Sequence, residues 1–303
     1  MSLRLPQRDV RRLVSDQDRY DAVAQAAAGR VISGYSTSFG LACRLLHEDV
    51  RGHVRNVYAL VRLADEVVDG PVGSEAPERA GELLDRLEQD VMDALRDGYS
   101  TNLVVHAFGL TARSCGIDSA LVAPFFASMR ADLSVREHDV ASLERYVYGS
   151  AEVVGLMCLK VFLANAGAGR LPSGGAGYDD LAPGARRLGA AFQKVNFLRD
   201  LTADHQGLGR CYLPGVDPTH LTEADKHRLL DDVDADLAAA APAVRLLPPG
   251  SRRAVAVAHA LFAELAHRLR TAPADQVMAE RVRVPARVKA RIVLTTLARG
   301  SRR

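Results

Sequence analysis

The stretch Tyr58-Ala59-Leu60-Val61-Arg62-Leu63-Ala64-Asp65-Glu66-Val67-Val68-Asp69 sets apolar residues at helical spacing and carries two carboxylates, Asp65 and Asp69, four residues apart. On a helix, residues at i and i+4 share one face about 6 Å apart along the axis, so both acids point into the same space. Arg62 lies one turn before Asp65, and Tyr58 about one turn before Arg62. More than a hundred residues later the pattern recurs. Gln193, Asn196, Asp200 and Asp204 fall at i, i+3, i+7 and i+11 as one polar stripe, while Phe192, Val195, Leu198 and Leu201 make a separate apolar face.

One acid pair at i and i+4 is ordinarily a wet helix surface. Two pairs on core-like helices read differently, because unpaired buried charge is expensive, and the second cluster has no Lys at i+4 to its acids. Opposed across a cavity, the two faces are expected to collect hard cations. Mg²⁺ fits, and because it keeps waters and is completed by phosphate oxygens, a diphosphate is the expected missing ligand. Arg62, Arg199 and Arg210 are placed to neutralise phosphate, and Ser36-Thr37-Ser38 to donate hydrogen bonds to it. Of the 8 Phe and 8 Tyr, half lie in or beside these segments: Tyr35, Phe39, Tyr58, Tyr146, Tyr148, Phe192, Phe197 and Tyr212. As a set they suggest an apolar pocket whose π-faces can rest against a carbocation.

Five ordered segments then carry a resemblance. Tyr35 to Phe39, Tyr58 to Gly70, Tyr146-Val147-Tyr148-Gly149-Ser150-Ala151-Glu152-Val153-Val154-Gly155, Phe192 to Asp204 and Gly209-Arg210-Cys211-Tyr212-Leu213-Pro214 occur in the order of the phytoene synthase and squalene synthase family. The chain is most similar to the bacterial phytoene synthase branch, from about Tyr35 to Pro214 and more loosely to Arg281-Val282-Arg283-Val284-Pro285. The resemblance implies an all-α isoprenoid synthase fold, with helices surrounding a central apolar cavity. It implies that Asp65, Asp69, Asp200 and Asp204 hold a Mg²⁺ cluster, with Asn196 among the ligands and Gln193 on the same face. Ser36, Ser38, Arg62, Arg199 and Tyr212 are implied as diphosphate contacts, Phe39 and Tyr58 as further substrate-binding residues, and Tyr146 as a catalytic residue bordering the prenyl channel. Small residues beside it, Gly149, Ser150, Ala151 and Gly155, are expected to leave room for a long chain.

The implied reaction joins two prenyl diphosphates head to head through a cyclopropyl intermediate, giving phytoene from geranylgeranyl diphosphate. Two departures bear on substrate choice: Val61 where many members have Cys, and Ala203 where they often have Glu. A second reading is therefore prenyl transfer from a short donor, such as dimethylallyl diphosphate, to a carbazole-like or indole-like acceptor. A third makes the chain a degenerate partner subunit, against which the four aspartates weigh.

The 303 residues suffice for a substantial core, and nothing at mid-chain reads as a linker, so one helical domain over 1–303 is expected, with 1–20 and 298–303 as peripheral tails. Proline is absent from 7 to 70, 79 to 123 and 184 to 213, and no alternating stretch is long enough for a sheet; Arg281 to Val284 is a weak strand signal. Pro71 and Gly73, Gly167 to Gly184, Gly207 to Pro218 and Pro248-Pro249-Gly250 mark connections, and the one after Asp204 reads as a mobile lid. A net charge of +2 without a basic run interleaved with aromatics argues against nucleic acid. Cys43, Cys115, Cys158 and Cys211 lack metal-ligand spacing and read as structural thiols. Met1 to Asp21 has no signal-peptide core, and Val153 to Ala166 is too short an apolar run to cross a bilayer. A cytoplasmic protein with at most peripheral membrane contact is expected.

Overall fold

The computed structural model describes residues 15–35, 38–166 and 176–300, excepting the side chains of residues 38, 39, 299 and 300. The described chain is helical, and its one strand-like feature is an isolated bridge between Glu137 and Cys211. It runs α1 (Asp16–Tyr35), α2 (Ser38–Cys43), α3 (Glu48–Asp69), α4 (Pro71–Glu75), α5 (Pro77–Asp97), α6 (Leu103–Cys115) and α7 (Ser119–Ser134). Then α8 (Val140–Val147), a π-helical turn (Tyr148–Glu152) and α9 (Val153–Ala164) form one continuous rod. Last come α10 (Tyr178–Leu208), α11 (Glu223–Leu246), α12 (Pro249–Thr271), α13 (Ala274–Ala279) and α14 (Ala286–Gly300). Arg281 to Val284 forms no strand.

Helix α3 follows from its spacing. Val50, Val54, Val57, Leu60, Ala64 and Val68 are buried as one stripe, so Asp65 and Asp69 ride on its flank. Glu48 and Asp49 in the first turn suit the helix dipole, and Pro71 opens the next helix at its first position, where a missing N–H costs nothing. Helix α10 starts earlier than its glycines and prolines suggest, taking in Pro183 and Gly184. Burial of Leu181 and close packing of Gly184 on α11, where a Cβ would come within 2.3 Å of Ala243 Cβ, outweigh the lost hydrogen bond. Gly209 ends it in the left-handed region (φ 64°), turning Arg210 back beneath the helix.

The N-terminal boundary is corrected. Residues 16–20 belong to α1, whose buried face is Ala24, Ala28 and Ile32, and Tyr20 donates to Ser100 O at 2.8 Å. The bilayer expectation is also corrected in its premise, since the rod from Val140 to Ala164 is long and apolar enough to cross a membrane by length and composition. Val153, Leu156, Met157, Leu159, Val161 and Phe162 are buried there, and α9 packs on both α3 and α10. Helices α3 and α10 do not pack closely on each other, so the rod stands between the two acidic helices.

Gly149, expected to widen a channel, instead lets the rod press on α7: a Cβ there would meet Pro124 O at 2.1 Å and Ser128 Oγ at 2.2 Å. Gly149→Ala is expected to cost about 3 kcal/mol in urea unfolding, through overpacking against backbone. A loss below about 0.5 kcal/mol, the range of an ordinary surface substitution, would show that this approach is not constrained.

Candidate active site

A cavity of about 250 Å³ opens between α3, the rod, α10, α11 and α12. Helix α10 lines it from Leu181 to Gln193 and the rod from Ser150 to Phe162. Each spans thirteen residues, twelve steps of 1.5 Å or about 18 Å. The two elements run antiparallel, because a Cβ on Gly189 would meet Ala151 O and one on Gly155 would meet Ala185 O. Gln193, Ser150 and Val61 therefore mark one end, and Leu181, Phe162 and Val54 the other. Asp65 lies one turn beyond Val61 and Asn196 one turn beyond Gln193, so the acidic segments sit past the first end.

The acidic ends of α3 and α10 are joined by Arg210. Its backbone N–H donates to Asp204 O at 3.1 Å, while Nη1 donates to Asp69 Oδ1 at 2.6 Å and Nη2 to Val68 O at 3.0 Å. Arg210 is 4% exposed. Beneath it lies Asp132 of α7, a residue the sequence reading missed. Tyr146 donates to its Oδ2 at 2.8 Å, Tyr212 to its Oδ1 at 2.7 Å, and Arg210 Nη1 stands 3.7 Å away. Burial, then the charge of Asp69, pushes Asp65 up to about 7 against the pull of Arg62. Burial, then Asp200 and Asp69, pushes Asp204 up to about 7. Arg210, bonded to the Asp69 carboxylate and to Asp204 O, brings the ends of the two acidic helices together.

Asp200 is in a different state. Burial would raise it, but Arg199, and Arg281 donating at 2.8 and 3.0 Å, outweigh burial and hold its carboxyl below the usual range. The Arg281 contact links residues 81 apart, and sequence spacing gave no sign of it. Asp132 did leave a signal: with Phe125, Ser128 and Met129 it falls on the buried face of α7, and an acid on such a face needs partners.

Other expected site residues are placed as follows. Arg62 pairs with Glu66 at 2.6 Å and lies over the Tyr35 ring at 4.3 Å, its Nε buried without a partner. Tyr58 is half-buried against the core around α3. Asn196 is half-buried on α10. Ser36 lies outside the described residues, and Ser38 and Phe39 are described only as backbone of α2. Tyr146 does not border the cavity; it is 5% exposed, beneath the acids, with its hydroxyl on Asp132. The π-lined pocket is corrected as well. Of the seven of these aromatics whose side chains are described, only Phe192 lines the cavity, whose walls are mostly aliphatic, while Phe197 and Tyr212 stack on each other at 4.4 Å. Nor is the segment after α10 a free flap: Cys211 N donates to Arg136 O at 2.8 Å, and Arg210, Tyr212, Leu213 and Val216 are buried. Cys43 and Cys158 are free thiols on the cavity wall, pushed up by burial to about 11 and about 12.

Among the described residues, no three His, Cys, Asp or Glu side chains converge tightly enough to cage a metal ion by themselves. The donor set still fits Mg²⁺, which takes one or two carboxylates and completes its shell with water and phosphate. Asp65 and Asp204, crowded by like charge, are the acids a divalent cation would relieve.

The family model for squalene/phytoene synthase matches residues 32–288. The chain belongs to that family. A 15-cis-phytoene synthase from Paracoccus sp. (strain N81106 / MBIC 01143) is 28% identical over 251 residues, 78% of each chain. The chloroplastic phytoene synthase 2 of Oryza sativa subsp. japonica is 32% identical over 203 residues, and the match spans 66% of this chain but only 48% of the rice protein. A crystal structure of a dehydrosqualene synthase in complex with ligand superposes with a TM-score of 0.79 at 22% identity, covering 95% of this chain and 100% of that one. Squalene synthase HpnC from Alicyclobacillus acidocaldarius gives 0.68 at 19% identity, covering 82% and 94%. These likenesses establish the isoprenoid synthase fold. Members of the family are prenyltransferases, and this squalene/phytoene synthase family chain is an enzyme of that type.

Proposed function

We propose that this enzyme condenses two allylic prenyl diphosphates head to head, that its substrate is geranylgeranyl diphosphate, and that the product is phytoene. Family membership and the phytoene synthases among its relatives support the reaction class. The length of the cavity carries the choice of chain. An extended prenyl chain advances about 5 Å per five-carbon unit, given carbon–carbon bonds near 1.5 Å. Twenty carbons then need about 20 Å, which fills the 18 Å span and carries the first carbons about 2 Å beyond Gln193 towards the acids; fifteen, at about 15 Å, leave the Leu181 end unfilled.

Asp65 and Asp69 on one side, with Asn196, Asp200 and Asp204 on the other, are the residues to hold Mg²⁺. When bound, the metal supplies Lewis-acid neutralisation of a leaving diphosphate. Arg210 adds a fixed positive charge between the faces, and the unpartnered Nε atoms of Arg62 and Arg210 are donors without an acceptor. The aliphatic walls exclude water from an allylic cation and hold the second alkene against it.

Incubation with geranylgeranyl diphosphate and Mg²⁺ is expected to yield a forty-carbon hydrocarbon, detected by chromatography of an organic extract. Faster condensation of farnesyl diphosphate would overturn the chain length. Turnover of dimethylallyl diphosphate only with an aromatic acceptor would replace this reading by aromatic prenyl transfer. No diphosphate release from any donor would leave the partner-subunit reading.

A further inference from the structure

Asp132 has no place among the metal ligands, yet it sits at the centre of the polar network beneath them. A carboxylate in the last turn of α7 faces the negative end of the helix dipole and is buried to 4% exposure, two conditions that disfavour its charge. Burial pushes it up to about 6, against the opposing effect of Arg210 and the two tyrosine hydroxyls. Its oxygens each take one hydroxyl, from Tyr146 and from Tyr212, which fixes the carboxylate plane. Tyr212 is held in turn: its ring stacks on Phe197, and its oxygen accepts from Arg210 Nη1 at 3.2 Å.

Arg210 is bonded to both acidic segments, through Asp69 and Val68 O at the end of α3 and through Asp204 O near the end of α10. The guanidinium faces two carboxylates, 2.6 Å from Asp69 and 3.7 Å from Asp132. Arg210 is hydrogen-bonded to Asp69 and stands within ion-pair distance of Asp132, so Asp132 takes up part of a positive charge that would otherwise fall on Asp69 alone.

We propose that Asp132 is a positioning residue: it holds Arg210 between the two acidic helices and shares its charge, so that Asp69 is left able to take a cation. The proposal rests on the reading of Asp69 as a metal ligand given above. Asp132→Asn keeps the shape and one acceptor but removes the shared charge, so the Arg210 charge should fall on Asp69 alone, tighten the ion pair already there and compete with the cation.

The test is the thermal shift produced by Mg²⁺ with inorganic pyrophosphate, titrated in Mg²⁺ on the full chain. For Asp132→Asn the Mg²⁺ midpoint is expected to rise on the order of tenfold, corresponding to about 1.4 kcal/mol of coupling. In turnover, the same variant should raise the Mg²⁺ requirement more than it lowers kcat at saturating Mg²⁺, a split that a merely structural lesion does not produce. Asp132→Glu, which restores the charge, is expected to recover part of the midpoint. If Asp132→Asn does not fold, Tyr212→Phe takes its place, since it loosens the carboxylate but leaves the charge; a rise of about threefold is expected. An unchanged midpoint in the variant, with a clear shift in the wild-type chain, would overturn the role of Asp132 alone. No shift in the wild-type chain would overturn both this role and the metal–diphosphate reading.

Discussion

Asp204→Asn is expected to lower turnover of geranylgeranyl diphosphate about a thousandfold while making the metal-free chain more stable at neutral pH. The activity loss follows from charge: asparagine keeps the size and one oxygen but removes one of the carboxylates that fit a cation on the α10 face. Loss of a single preorganised group that stabilises developing charge costs on the order of a hundred- to a thousandfold. The stability gain has the opposite origin. In the folded chain burial, then Asp200 and Asp69, raises Asp204 to about 7, whereas an unfolded aspartate titrates near 4. Between those values the folded state holds a proton that the unfolded state has lost, so stability falls as pH rises from about 4 to about 7, and the full cost is present above it. Each pKa unit corresponds to about 1.4 kcal/mol, and solvent at this half-buried site screens the ceiling to roughly 2 kcal/mol. Calorimetry without metal should therefore show a melting temperature several degrees above wild type at pH 8 and nearly equal at pH 4. A variant less stable at pH 8, or one with wild-type turnover, contradicts this account of Asp204.

What made Asp204 legible was repetition. Four carboxylates at two i and i+4 spacings, each on a helix with an apolar second face, pointed to two acidic helices, while the fold class and the facing of the clusters came from the family resemblance of the ordered motifs. Asp132 has no such companion: its partners Tyr146 and Tyr212 lie 14 and 80 residues away, and only the fold brings them together. The same holds for Arg281, whose pairing with Asp200 reaches across from the segment before α14. The hydroxyls of Tyr146 and Tyr212 were the missed clue, because a buried tyrosine needs a hydrogen-bond partner, whereas the sequence reading assigned both residues to the substrate and sought no buried acid for them. The start of α1 was hidden for another reason. Its buried face is largely alanine, Ala24 and Ala28, which gives little hydropathy contrast against the charged residues around it.

The aliphatic character of the cavity makes the second large effect one of length rather than charge. Ala185 lines the cavity eight residues from Gln193 along α10, about 12 Å down the axis. A donor of two five-carbon units, about 10 Å long at the same bond lengths, ends above that level; donors of three or four units must pass it. Ala185→Phe places a ring across the path, and because the side chain enters open space instead of packed core, the stability cost should stay below about 2 kcal/mol. Misfit of a single methylene is worth about 1–3 kcal/mol in discrimination, and ten displaced carbons exceed that several times over. The kcat/KM for geranylgeranyl diphosphate is therefore expected to fall at least about a hundredfold, and the preference for geranyl over geranylgeranyl diphosphate to rise about a thousandfold, read as diphosphate release with each donor. The Mg²⁺ midpoint for pyrophosphate should not move, since Ala185 lies far from Asp65 and Asp204. If the variant keeps the wild-type donor preference, the prenyl chain does not run along α10 from Gln193 towards Leu181, and the length argument for a twenty-carbon substrate fails with it.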